Sequence, residues 1–141
     1  MASPAAFAAV RALLGGSLVL PNGLTVPLAW PNEPFDKPEP PAPWVLVEMS
    51  GHLLEAIEIG AGSSNTWAEQ GQVWCHCFVP SASGSETART VLKALSDLFR
   101  GNNPYRFVVF RAQSIGLGAP GDDDGAWWRL SMSVDGLYAD H

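Results

Sequence analysis

The chain has 141 residues, 47% of them apolar and only 16% charged, and its eight Lys and Arg against fourteen Asp and Glu give a formal charge of −6. That length suits one domain around a single core, and the acidic balance argues against a protein that grips phosphate backbones. Charge this far below the roughly 25% usual for soluble domains leaves uncharged surface that is expected to meet other protein.

No apolar run approaches the ~20 residues needed to cross a bilayer, and MASPAAFAAVRALLGG at the start carries no basic leader before its apolar residues. The expectation is a soluble, unexported chain with no membrane contact. Ser3-Pro4 ahead of AAFAAVRALL predicts a capped first helix, with the Ser oxygen accepting an orphan amide and Pro at the first helical position. Gly15-Gly16 ends it, and Phe7, Val10, Leu13 and Leu14 give it one apolar face. SLVLPNGLTVPLAW then holds two short β-prone pieces around Pro21-Asn22-Gly23, read as a small hairpin or a loop leading to a strand near Trp30. Six prolines between Pro31 and Pro43 make the next segment an extended, ladder-free crossover, with a docking arm for a proline-binding partner as the second reading.

WVLVEM (44–49) reads as a buried strand and GQVWCHCFVP (71–80) as another. The residues between them either extend both into a long hairpin or contain a short helix. In SGSETARTVLKALSDLFRG, Ser83 and Glu86 have capping-box spacing, and Ala88, Val91, Leu92, Leu95, Leu98 and Phe99 form an apolar stripe before Gly101. YRFVVFR (105–111) and AWWRLSMSVDGLYA (from 126) complete the strands, joined by QSIGLGAPGDDDG. The expected fold is a single α+β domain over residues 1–141, with a mostly antiparallel sheet of about four strands and two helices packed on one face.

Cys75-His76-Cys77 invites a metal or redox reading. Strand alternation answers it: Val73, Cys75, Cys77 and Val79 face one way, Trp74, His76 and Phe78 the other. The cysteines then lie too far apart, with parallel side chains, for a disulfide. With only His52 and His141 besides, a four-ligand zinc site has no set of donors. They read as small buried hydrophobes, and no metal or cofactor is expected. Adjacent aspartates in GDDDG cannot all converge on a cation, so an exposed acidic turn is expected, able to repel DNA or pair with a neighbouring subunit. GLGAPG and GAGSSN lack phosphate-loop spacing, and no nucleophile comes with an ordered base, so no catalytic residue is expected. Six tryptophans remain, and Trp127-Trp128 on a strand must place one indole on each sheet face.

The order of these parts, above all the Trp30 to Phe35 W-x-N-x-P-F piece before the proline-rich connection and the Gly71 strand running through Val79-Pro80 into a capped helix, resembles the tail-terminator family of long-tailed phages and related gene transfer agents, over roughly residues 1–138. The resemblance implies a subunit of a six-membered ring that caps the tail tube, ends its polymerisation and meets the head-side connector. It implies no catalytic residues, DNA passing through the lumen without specific binding, and a place at the head-proximal end of a virion tail assembled in the host cytoplasm. Candidate assembly contacts are Trp67, Glu69, Asp122, Asp123, Asp124 and Trp127. A head-to-tail connector or other minor tail protein is the sibling reading, and a small α+β enzyme or ligand-binding domain the reading of another class.

Overall fold

The computed structural model describes residues 3–51, 55–56, 67–100, 107–122 and 125–140. Along the chain these form α1 (Pro4–Leu14), β1 (Ser17–Val19), β2 (Thr25–Ala29), β3 (Trp44–Gly51), β4 (Glu55–Ala56), β5 (Trp67–Pro80), α2 (Glu86–Arg100), β6 (Phe107–Ile115), β7 (Ala119–Pro120) and β8 (Trp127–Asp140). The fold is α+β, with a mostly antiparallel sheet and two helices. Its strands number eight among the described residues, in the order β1-β2-β3-β5-β8-β6, with β4 on β5 and β7 on β8. The expectation of about four strands is therefore too low: β3, β5, β6 and β8 are the four that hydrophobic runs announce. β1 and β2 are the two short β-prone pieces around Pro21-Asn22-Gly23, paired as a small hairpin, and β4 and β7 are two-residue pieces whose place depends on pairing rather than on pattern.

The sheet is built around β5 and β8, which pair without interruption from Trp67↔Asp140 to Pro80↔Trp127. β8 occupies one side of Trp67 and Ala68, so β4, which also pairs with them, lies on the side of β3. β3, β4 and β5 thus form the long hairpin that was one of the two readings of residues 52–70; the short-helix alternative would fall within 52–54 and 57–66, outside the described residues. The β2–β3 pair, Leu28↔Val45 and Ala29↔Leu46, is parallel, and the other pairings are antiparallel.

One face of this sheet is closed by the helices. Val45, Val47, Val73, Cys75, Cys77, Val79, Leu130 and Val134 are wholly buried there with Val10 of α1 and Ala88, Val91, Leu92 and Leu95 of α2. This is the predicted alternation realised: each strand contributes every second residue to the helix side. Burying a Val or Leu side chain contributes roughly 1.5–3 kcal/mol each, so this layer is the principal source of stability.

α1 begins as its sequence predicts, with Ser3 Oγ accepting from Ala6 N (3.2 Å) and Pro4 at the first helical position. At its other end Gly15, at φ 74, donates its amide to the Arg11 carbonyl. α2 starts differently from expectation. Its first carbonyl acceptor is Ser85, bonded by Arg89 N at 3.0 Å, while Ser83 Oγ donates to Pro80 O at 2.6 Å. The capping box expected from Ser83 and Glu86 is not formed, because the tight turn after β5 takes the Ser83 hydroxyl first. The apolar stripe of α2 is as predicted, with Ala88, Val91, Leu92, Leu95 and Phe99 buried and Leu98 packed at its margin.

The proline-rich connection passes from one sheet face to the other. Trp30 is buried under α1, edge-on to Phe7 at 5.7 Å between ring centroids, with its Nε1–H donated to Gly15 O (3.1 Å) and the Arg11 guanidinium 4.7 Å above its ring. Arg11 also pairs with Glu33 at 3.0 Å. Five residues after Trp30, Phe35 packs on Trp44 on the face without helices.

Gly118, before β7, lies against the Trp128 indole so closely that a Cβ there would fall 1.6 Å from a ring carbon, whereas one on Gly116 would meet nothing within 4 Å. Gly118→Ala is expected to displace Trp128 and cost about 1–3 kcal/mol, and Gly116→Ala to be near neutral, in chemical denaturation of the two variants side by side.

Candidate functional site

The face opposite the helices is formed by cross-strand rows taken in register from β3, β5 and β8: Trp44–Phe78–Arg129, Leu46–His76–Ser131, Glu48–Trp74–Ser133 and Ser50–Gln72–Asp135. Its character changes along the strands. At the Pro80 end it is aromatic, with Trp44 stacked on Phe78 (4.2 Å between centroids, 8° between planes), Trp127 edge-on to Trp44 at 6.1 Å and Phe35 tilted over it at 5.1 Å. Ala29 joins this second cluster and Lys37 Nζ reaches 5.9 Å from the Trp44 ring. Trp44 Nε1 is buried there without a hydrogen-bond partner among the described residues.

Beyond the aromatics lies a polar band. His76 joins the three strands: Nε2 is 3.0 Å from Glu48 Oε1 and Nδ1 2.7 Å from Ser131 Oγ. A carboxylate only accepts, so the neutral ring donates from Nε2 and accepts the serine hydroxyl at Nδ1. Burial holds His76 below its ordinary 6.5, with Glu48 opposing that shift and Arg129 reinforcing it. A histidine depressed in this way contributes stability above pH 6.5, and that contribution fades as pH falls through its lowered value. Trp74 stacks on the imidazole at 6.0 Å and donates Nε1–H to Gln72 Oε1 (3.2 Å), and Gln72 Nε2 donates to Asp135 Oδ1 (2.9 Å). A cleft of about 360 Å³ follows, lined by Ser50, Gln70, Gln72, Asp135 and Leu137 beside Gly51, Gly71 and Gly136, which stand in one cross-strand row.

Ser131, His76 and Glu48 are in the order of a nucleophile, a base and its orienter, a chain that reading the sequence misses. Alternation places His76 on this face but only the register of three strands reveals its partners. The pairing of β5 with β3 and β8 runs past all three residues, so the arrangement is a hydrogen-bonded chain laid across the sheet surface. Among the described residues, no group of three or more His, Cys, Asp and Glu is placed to hold a metal ion.

Cys75 and Cys77 are free and buried on the helix side, away from His76. Burial pushes both thiols from 9.0 up to about 12, with the neighbouring Cys77 adding to the rise at Cys75. Strand alternation thus separates the apparent Cys-His-Cys set as expected.

The four candidate contacts that lie among the described residues, Trp67, Glu69, Asp122 and Trp127, do not converge. Trp67 opens β5, with Ala56 and Asp140 paired to it on either side. Trp127 faces Pro80 at the far end of that strand, roughly 40 Å away at ~3.3 Å per residue. Glu69 is 1% exposed and its carboxylate accepts from Ser3 N (2.9 Å) and Ser3 Oγ (2.6 Å), completing the N-terminus of α1 from inside the protein. A negative charge there also complements the helix dipole. Asp122 Oδ1 accepts from Ala126 N (3.0 Å) and Trp127 N (3.3 Å), shaping the turn before β8. Asp123 and Asp124 lie outside the described residues. Trp127 is buried in the aromatic cluster on the helix-free face, while Trp128 packs toward the main core, the division that adjacency on a strand requires.

No helix among the described residues is long and apolar enough to cross a membrane.

Removing the Glu69 carboxylate leaves two donors of Ser3 without it. Glu69→Ala is expected to destabilise by about 2 kcal/mol, Ser3→Ala by about 1 kcal/mol, and the double variant by clearly less than their sum in a denaturation cycle. The thiols give a second expectation. At pH 8 about one in ten thousand is ionised for a group titrating near 12, so an alkylating reagent should label Cys75 and Cys77 only under denaturing conditions, as read by mass spectrometry. Because their folded values are raised, stability is full below pH 9.0 and falls as pH climbs toward about 12. Cys77→Val should flatten that decline.

No protein-family model and no curated protein matches the chain. Seventeen solved chains match it in structure. One of them, known by a serial label that describes no activity, aligns over 96% of each chain with a TM-score of 0.58 and 21% identity. At that identity the likeness is one of fold.

Proposed function

We propose that the protein is a structural subunit of a ring that caps the tail tube of a long-tailed phage or related gene transfer agent, ends tube growth and joins the tail to the head-side connector. The observation that carries this reading is the one-sided build of the domain. A core lies between the sheet and its helices, while no helix among the described residues covers the opposite sheet face, which carries a small buried aromatic cluster at one end and a part-exposed polar band beyond it. A part-exposed band of hydrogen-bonding and aromatic side chains suits contact with other subunits. The formal charge of −6 agrees with a lumen through which DNA slides without adhering. The arrangement of sequence parts that resembles the tail-terminator family supports the same reading. A head-to-tail connector or another minor tail protein is its nearest rival, since such a subunit draws on the same surface.

Negative-stain imaging of the purified protein, alone and with tail-tube protein, should show rings of six subunits, and added protein should arrest tube elongation at the end it caps. Monomers under both conditions, with tubes growing unchecked, would overturn the proposal. Attachment of rings to connector complexes but not to tubes would favour the connector role.

A further inference from the structure

We infer that neighbouring copies join through the two edges of the sheet, β6 of one copy continuing onto β1 of the next as a parallel strand pair. This deepens the ring reading above and rests on it.

The order β1-β2-β3-β5-β8-β6 makes β1 and β6 the outermost strands, each paired on one side among the described residues. Large apolar side chains left exposed among those residues are Val19 in β1, Ile115 closing β6 and Leu117 just beyond it, with 66%, 41% and 96% of their surface open. Among the described residues, apolar exposure of this size is thus found at β1, at the end of β6 and just beyond it.

The peptide groups tell the same story. Gly16 O accepts from Leu28 N at 3.0 Å and Leu20 N donates to Leu24 O at 2.9 Å, so alternation turns the peptide groups of Ser17 and Val19 away from β2. At the other edge Gly116 N donates to Ser131 O at 3.1 Å, which turns those of Ile115 away from β8. Unpaired edges invite another strand unless short length, charge, Pro, a bulge or a covering segment blocks them. β1 has three residues and β6 contains Arg111 and two register shifts against β8, but its pairing is regular from Gln113 to Ile115, the end that carries the exposed side chain. Neither Ser17–Val19 nor Phe107–Ile115 contains Lys or Pro.

Strand direction then decides how a second copy fits. Following the antiparallel steps and the one parallel step from β1 to β6, the two edge strands run the same way. Extending the sheet with every copy's helices on the same side makes β6 and the next β1 parallel neighbours. Val19, on the helix-free side, and Ile115, on the helix side, are then each covered by the strand added beside them. This contact uses different surfaces on the two partners, so each copy keeps one free edge until rotation closes a ring. A pair of β6 strands would instead stop at a dimer.

The test uses Val19→Lys and Ile115→Lys in the full chain, with circular dichroism and thermal unfolding confirming that each folds. Under conditions where the unaltered protein forms rings, each variant is expected to run as a monomer in light scattering after size exclusion. An equal mixture should give a complex of two chains, because each variant retains the edge that the other lacks. Rings persisting in both variants would overturn the edge contact while leaving the ring itself in place. A dimer of Val19→Lys alone would show β6 pairing with β6 and overturn it as well. An unaltered protein that stays monomeric alone and with tube protein would defeat the ring reading, and this inference with it.

Discussion

Everything in this domain is referred to one long antiparallel pair. β5 and β8 run against each other for fourteen residues, and the period of two along both gives the sheet its two unlike faces. With β8 held in place, a one-residue slip of β5 would carry Cys75 and Cys77 out of the core and bring Trp74 and His76 into it. The cost of such a slip is the loss of the share of the helix-side layer that β5 supplies. The register is therefore held by burial, and the polar chain across His76 is a consequence of that register. Glu48 and Ser131 meet the imidazole because Val47 and Met132 must meet Cys75.

How much of this could be read from the sequence depends on the range of the interaction involved. The two helices, the apolar stripe of α2 and the opposed faces of residues 73–79 follow from short-range periodicity and were legible. The small strands were not, because β4 and β7 contain two residues each and exist only by pairing with β5 and β8. Ser83 was expected to cap α2, but a local turn competes for its hydroxyl within three residues. Glu69 is the plainest case of long-range hiding. A lone carboxylate between Ala68 and Gln70 looks like solvent-facing polarity, and its burial makes sense only once Ser3, 66 positions earlier, is brought to it.

The two faces divide the labour of the molecule. Apolar contacts on the helix side hold the fold, which frees the other side to carry aromatics and hydrogen-bonding groups that a finished core would not need. The W-x-N-x-P-F piece links the two by burying Trp30 on one side and Phe35 on the other. The proline-rich connection is therefore a structural strap as well as a crossover, and disturbing it would loosen both faces together.

α1 is fastened at each end by a side chain from the sheet layer: Glu69 takes the donors of Ser3, and the Trp30 indole donates to Gly15. Such a helix behaves as a gauge between two fixed points. Inserting or deleting a single residue would advance one end by about 1.5 Å and turn it by about 100°, so that either Ser3 or Gly15 would leave its partner. Its exposed positions can drift in identity through evolution, but its length is quantised, and homologues that share both clamps should share the eleven residues between them.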